Sequence, residues 1–251
     1  PTDAQDAVTL SVLLEKITAL QDQIDNAGIG SIDQDGNTYD YLTYGNQVWT
    51  VENAEMVTYR DGTPIPQVPL DADWENLTTG AWAYYPNNPA NPRLYNWYAV
   101  MGIHDEASLS DASLRKEFAP EGWHVPSDAE WTTLENYLIA NGYNYDGTNE
   151  GNTIAKAMAS TTGWSSSTEA GAPGNVQSLN NSSSFNAFPE GYRSYDGSFS
   201  SERINAIFWS STEYDTSFIS PWYRFLNSNY SFLRRNNSDE RLGFSVRFVR
   251  D

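Results

Sequence analysis

The sequence predicts an α+β domain in which short antiparallel strands and two helices are set among long ordered loops, preceded by a separate N-terminal helix. Three observations carry this. Short apolar runs are bounded by the turn dipeptides Asp35-Gly36, Asp61-Gly62, Asp146-Gly147 and Asp196-Gly197, where Asp and Gly supply backbone conformations that other residues avoid. One segment, opening at Ser127, carries a complete helix-start signal. Aromatic residues make up 14% of the chain and charged residues 19%, a globular composition with large side chains enough for a core.

In chain order, Leu10, Leu13, Ile17, Leu20 and Ile24 recur between Thr9 and Asn26 at alternating steps of three and four, the a/d seam of a coiled coil. Thr2 and Asp3 cap its start, and Gly28 and Gly30 end it. So short a helix is marginal alone in water, so its seam is expected to pair with other copies of itself or dock on a stalk. Two heptads leave dimer and trimer open. Residues 1–30 therefore read as an oligomerisation or docking helix, and residues 31–251 as the main domain. The segment Asn37 to Val51 reads as two strands broken near Tyr44-Gly45. Leu70 to Pro92, rich in Pro, Asn and Trp, reads as a long ordered loop.

Ser127 to Ala140 reads as a helix with Ser127 at the N-cap and Glu130 three residues on, a capping box, stopped by Gly142. A second, Ala-rich helix is expected over Asn152 to Ser160. Thr161 to Ser184, dominated by Ser, Gly, Asn and Thr, reads as loop. Strands return at Phe208 to Ser211, Trp222 to Leu226 and Phe244 to Val249.

A formal net charge of −19 repels phosphate backbones and anionic lipid, so neither nucleic acid nor a membrane is an expected partner. No apolar run approaches the length needed to span a bilayer. The absence of cysteine excludes disulfides and thiolate metal sites. Starting at Pro1 without a Met, the chain also fits one trimmed at its N-terminus.

Six phrases in series resemble a known family: GNQVWTVEN (Gly45 to Asn53), YRDGTPIP (Tyr59 to Pro66), LYNWYAV (Leu94 to Val100), GWHVPSDAEW (Gly122 to Trp131), FWSSTEYD (Phe208 to Asp215) and GFSVRFVRD (Gly243 to Asp251). In order and spacing they are similar to the Fibrobacter succinogenes major paralogous domain, abundant in Bacteroidetes and their phages. The resemblance implies a C-type-lectin-like fold, akin to that of the formylglycine-generating enzyme, whose cysteine chemistry this chain cannot inherit. Many members carry cysteines where this chain has Ala119 and Phe248, which implies that the two positions share one space, filled here by Phe248. Some relatives with this fold are variable proteins of diversity-generating retroelements, in which adenine-directed mutation rewrites Asn, Tyr, Ser and Asp codons near the C-terminus.

The C-terminal part carries the sharpest functional signal. A framework of Trp209, Trp222, Phe225, Phe232 and Phe244 alternates with small polar residues and tyrosines. The candidate ligand-binding residues are Tyr214, Asp215, Tyr223, Asn227, Asn229, Tyr230, Arg234, Arg235, Asn236 and Asn237. Tyr offers large contact area at low entropic cost and Asn adaptable hydrogen bonds, as in antibody loops. Tyr214, Tyr223, Tyr230, Arg235 and Asn237 are expected on one exposed face. Other signals are weaker. Asp33, Asp35 and Asn37 begin like a calcium loop, but the downstream Glu is missing and turn chemistry explains them as well, so the expectation is no cofactor, with calcium as the open alternative. His104 and His124 come with no nucleophile elbow, phosphate loop or zinc spacing, and His124 reads as a hydrogen-bonded turn or core residue. Glu130 and Glu135 read as capping and solvating residues.

The expectation is thus a non-enzymatic adhesin on a phage tail fibre or cell surface, bound to a bacterial surface protein or glycan. A secreted glycan-binding module, or a glycan-active enzyme with paired carboxylates between Trp walls, is the alternative.

Overall fold

A computed structural model describes residues 31–251 apart from Ala90, Thr216 and Ser217; the N-terminal heptad segment and its expected self-association lie outside the described residues. Strands β1 (Ser31–Ile32) and β2 (Thr38–Tyr39) close the Asp35-Gly36 turn, and β3 (Tyr41–Tyr44) and β4 (Gln47–Thr50) form the hairpin expected to break at Tyr44-Gly45. Gly45 there has φ +64°, a left-handed conformation that costs Gly little. Helix α1 (Asp71–Glu75), β5 (Trp82–Tyr84), β6 (Arg93–Tyr95), α2 (Trp97–Val100) and α3 (Glu106–Ser110) follow. Then come β7 (Trp123–His124), α4 (Asp128–Ala140), α5 (Ala155–Met158), β8 (Tyr192–Arg193) and β9 (Phe199–Ser200). The chain ends with β10 (Asn205–Asp215), β11 (Phe218–Asn227), β12 (Arg234–Asn237) and β13 (Val249–Arg250).

The result is a mixed α/β architecture of small antiparallel sheets. The largest runs β3-β4-β13-β7, a second runs β10-β11-β12, and the others are two-stranded. No described helix is long and apolar enough to cross a membrane.

Two aromatic clusters make up most of the core. One gathers Tyr95, Trp97, Trp209, Phe244 and Phe248; the other gathers Trp49, Trp131, Trp164, Phe185 and Phe208. The segment before β13 runs between them, with Phe244, Val246 and Phe248 in the first cluster and Val249 in the second. Ala119 and Phe248 do share the first cluster, where Phe248 packs on Tyr39 and Phe118 with ring centroids 5.8 and 6.0 Å away.

Three expectations need correction. The strand expected over Phe244 to Val249 is reduced to β13, because Phe244 and Ser245 form only isolated bridges, to Tyr95 and Phe208, as the segment threads between the two clusters. The Leu70 to Pro92 stretch holds α1 and β5: the buried Trp74 anchors the helix and the buried Trp82 the strand, which pairs with β6. The Ala-rich helix is a single turn, Ala155–Met158. Its intended N-terminal side chain, Asn152, is instead bonded to Glu135 and to the Leu233 carbonyl. At its other end Ala159 turns extended and Ser160 N–H pairs with Ala187 O.

Helix α4 forms as expected. Ser127 Oγ accepts from the Glu130 N–H and the Glu130 carboxylate accepts from the Ser127 N–H, the reciprocal capping box. Its Trp131, Leu134 and Leu138 are buried against the second cluster. Glu130 does more than cap. Its other oxygen lies 2.7 Å from His124 Nε2, while His124 Nδ1 lies 2.7 Å from Asp251 Oδ1. His124 therefore latches β7, the start of α4 and the residue after β13 together. The hydrogen bond to Glu130, reinforced by Asp251, pushes the His124 imidazole up to about 9 against the opposing effect of its partial burial. Burial works against Glu130 ionisation, yet the bonds from His124 and Ser127 hold its carboxyl down at about 2.

The folded chain therefore holds the His124 proton more tightly than the unfolded chain. The latch contributes fully below about pH 6.5, and its contribution fades as pH rises through about 9. The Glu130 contribution runs the other way, present above the ordinary glutamate range and lost as pH falls toward about 2. Thermal unfolding from pH 6 to pH 10 should show a decline in Tm across that alkaline window that His124→Gln flattens; parallel curves for the two proteins would contradict the latch.

Candidate ligand-binding surface

The candidate residues sit on the β10-β11-β12 sheet and the turn between β11 and β12. Register pairs Trp222 with Asn237, Tyr223 with Asn236, Arg224 with Arg235 and Phe225 with Arg234. On the other side of β11, Trp209 faces Tyr223 and Phe208 faces Arg224. Because side chains alternate along a strand, this register divides the candidates. Phe208, Trp222, Arg224, Arg235 and Asn237 share one face. Trp209, Tyr223, Phe225, Arg234 and Asn236 share the other.

The first face is fastened to α4. Arg224, with a fully buried side chain, donates from Nη1 to Asp128 Oδ1 at 2.6 Å and from Nη2 to Thr132 Oγ1 at 3.2 Å. Arg235 grips the same carboxylate with Nε and Nη2, both at 2.8 Å. Its guanidinium lies 3.3 Å from the Trp222 ring centroid, and Tyr214 packs edge-on against the same ring at 4.9 Å. Burial disfavours the Asp128 charge, but the bonds from Arg235 and Arg224 outweigh it and hold its carboxyl below the usual range. One carboxylate at the first turn of α4 thus fixes two neighbouring strands.

The other face opens onto a groove. Tyr223 is half-buried, with its ring 5.0 Å from Phe244 and 6.2 Å from Trp209. Beside it a groove of about 310 Å³ is walled by Tyr192, Tyr195, Tyr223 and Phe225, with Asn205, Ser194 and Ser238 among its polar groups. Next to its Phe225 wall, the Arg234 guanidinium lies 5.8 Å from the Phe225 ring and 4.6 Å from Tyr230, whose ring stacks on Phe232 at 5.4 Å.

The expectation of a single face is therefore corrected, since Tyr223 and Arg235 point to opposite sides of the sheet. Tyr214 and Tyr230 are exposed at 57% and 39%, and Asn229, Arg234, Arg235 and Asn236 are exposed as well. Asn227 is a turn-former, donating to Asn205 Oδ1 and accepting from the Asn229 N–H. Asn237 accepts from Ser220 Oγ at 3.0 Å. Asp215 ends β10. The contributions of Tyr192, Tyr195 and Asn205 to the groove were missed. Their only sequence signal was the Asp196-Gly197 turn, which folds β8 and β9 and so presents Tyr195.

A second hollow, of about 300 Å³, is lined by Tyr85, Phe188, Glu190 and Glu202 among others. It is the place where paired carboxylates bear on the enzymatic alternative. Burial pushes Glu190 up to about 7, but its oxygens already accept from Asn53 Nδ2 and Ser245 Oγ, and the walls are Tyr and Phe. Asp33 accepts from the Asp35 and Asn37 N–H groups, the Asn37 amide and the Tyr39 hydroxyl. Asp35 accepts from Val57 and Thr58, so turn and loop contacts account for both carboxylates. Among the described residues no group of His, Cys, Asp or Glu is placed to hold a metal ion.

The chain belongs to the Fibrobacter succinogenes major domain family, whose profile it matches over residues 42–250. No curated protein and no solved structure matches it.

Replacing Asp128 by Ala leaves Arg224 buried without its counter-charge, and breaking such a pair costs about 3 kcal/mol or more. Urea unfolding of Asp128→Ala should show that loss with an unchanged m-value; a change below about 1 kcal/mol would mean that the pair does not hold the sheet to α4.

Proposed function

We propose that this family member is a receptor-binding module, an adhesin whose C-terminal sheet and β11–β12 turn meet a bacterial surface protein or glycan. The observation that carries the reading is the contrast between a fixed base and an open top. Arg224 and Leu226 on one side of the sheet and Trp209 on the other are fully buried and fix its base, whereas Tyr214, Asn229, Tyr230, Arg234 and Asn236 face solvent. Rigid elements presenting Tyr, Asn and Arg suit recognition, because the anchors lose little freedom on binding. The small antiparallel sheets, few helices and long loops fit a C-type-lectin-like fold. The same pattern fits a variable protein of a diversity-generating retroelement, with exchange of surface residues tolerated over an unchanging base.

The setting we favour is the tip of a phage tail fibre, with a cell-surface adhesin next, and self-association through the heptads at residues 10–24. A glycan-active enzyme is supported less. Glu190 is already held by two neighbours in the folded domain, and a working acid needs its oxygen within reach of substrate.

The test uses fluorescently labelled protein and a panel of Bacteroidetes cells in flow cytometry. Tyr214→Ala, Tyr230→Ala, Arg234→Ala and Asn236→Ala combined should cut staining about tenfold or more. Exposed substitutions cost at most about 0.5 kcal/mol each, so the four together should lower Tm by no more than about 8 °C and leave the domain folded at the temperature of the assay. Tyr223 and Arg235 are left intact because they pack on Phe244 and bond Asp128. Undiminished staining by the variant, or none by the parent protein on any strain, would overturn the proposal.

A further inference from the structure

Resting on the binding role proposed above, we infer that the groove beside Tyr223 receives a carboxylate-bearing sugar, a hexuronate or sialate unit, with its carboxylate at Arg234. The first ground is electrostatic. The chain carries 33 acidic residues against 14 Lys and Arg, yet the groove is lined by no carboxylate. Asp239, next in sequence to the lining residue Ser238, is engaged by Arg241 through both oxygens. The groove lining is thus uncharged in a chain of strong net negative charge.

The second ground is Arg234 itself. Arg224 and Arg235 bind Asp128, Arg241 binds Asp239, and Arg193 donates to the Val68 and Pro69 carbonyls and to Asp71. Arg234, by contrast, has no salt bridge among the described residues, and its guanidinium lies over the rings of Phe225, Tyr230 and Phe232. Stacking restrains a guanidinium in a planar orientation while leaving its N–H edge available for a carboxylate, which it can grip through two parallel hydrogen bonds. Phe225 is both a wall of the groove and the partner of Arg234 in the strand register, so cation and groove adjoin.

The third ground is the lining. Tyr192, Tyr195, Tyr223 and Phe225 give flat apolar surface for the C–H face of a sugar ring, and Ser194, Ser238 and Asn205 give neutral donors and acceptors for its hydroxyls. A volume of about 310 Å³ lies at the lower end for small-ligand sites, matching one or two sugar units. A short peptide could also bring a carboxylate, but its backbone needs a ladder of amide partners that a tyrosine-walled groove does not offer.

The experiment is a calorimetric titration with digalacturonate and with methyl N-acetylneuraminoside, against neutral galactobiose. An acidic sugar should bind about tenfold more tightly than the neutral one, as a charge-assisted bond implies. Arg234→Gln should abolish that preference, Arg234→Lys should restore part of it, and Tyr195→Ala should weaken all the sugars alike. Equal binding of acidic and neutral sugars, a preference that survives Arg234→Gln, or no sugar binding would overturn the inference. Tighter binding of a dipeptide with a free carboxylate than of either acidic sugar would reassign the groove to peptides. If the sugars fail while the four-residue variant still loses cell staining, only the groove's ligand is wrong and the adhesin reading stands.

Discussion

Arg247 is buried at the centre of the domain, and the placement of three separate segments depends on it. Its Nη1 donates to the carbonyls of Thr50 at 2.9 Å and Phe185 at 3.2 Å, and its Nε donates to Asn53 Oδ1. Asn53 passes the connection on, donating from Nδ2 to the Glu190 carboxylate, which also accepts from Ser245 Oγ at 2.7 Å. The guanidinium lies 4.8 and 5.5 Å from the ring centroids of Phe185 and Phe208, in contact with the second aromatic cluster. Burial lowers the Arg247 pKa to about 10 and raises that of Glu190 to about 7. Neither charge is tolerable alone there, which couples β4, the loop at residues 185–190 and the approach to β13. The same approach segment bonds Phe244 to Tyr95 and Ser245 to Ile207 through the backbone. The base of the C-terminal sheet is thereby set by the polar network as much as by the aromatic cores.

That division of labour explains what the sequence could and could not reveal. Helix α4 was legible to its cap because Ser127, Glu130 and its apolar residues are all local signals. The β3–β4 hairpin was legible from Gly45 for the same reason. Two of the three expected C-terminal strands were placed but drawn too short: β10 and β11 extend over Asn205–Asp215 and Phe218–Asn227 because backbone pairing carries through polar residues that have no apolar periodicity, whereas the third, Phe244 to Val249, makes only isolated bridges before the two-residue β13. The Arg247–Asn53–Glu190 connection was not legible. Its members are far apart in the chain, and nothing local marks an Arg as buried.

The candidate surface shows the limit most sharply in Arg234 and Arg235, adjacent and identical in the sequence. One faces Phe225, Tyr230 and Phe232; the other faces Arg224 and is bound to Asp128. Residue type pointed to both as ligand contacts, but the pleat gives them opposite surroundings, and only the register against β11 decides which is which. Tyr214 and Tyr230 are exposed, while Tyr223 is drawn partly into the core by Trp209 and Phe244. Composition points to candidate residues, whereas which side of the sheet each one occupies depends on pairing.

Sequencing the 3′ end of the gene across a natural population tests whether, as we propose, a constant base carries a changeable binding surface. Under the proposal, variation is concentrated in adenine-rich codons at exposed positions such as Tyr214, Asn229, Tyr230 and Asn236. Codons for Trp209, Arg224, Phe244, Ser245 and Arg247 should stay fixed. Variation spread evenly over base and surface, or uniformly low throughout, would contradict a diversified surface and leave an ordinary domain of this family.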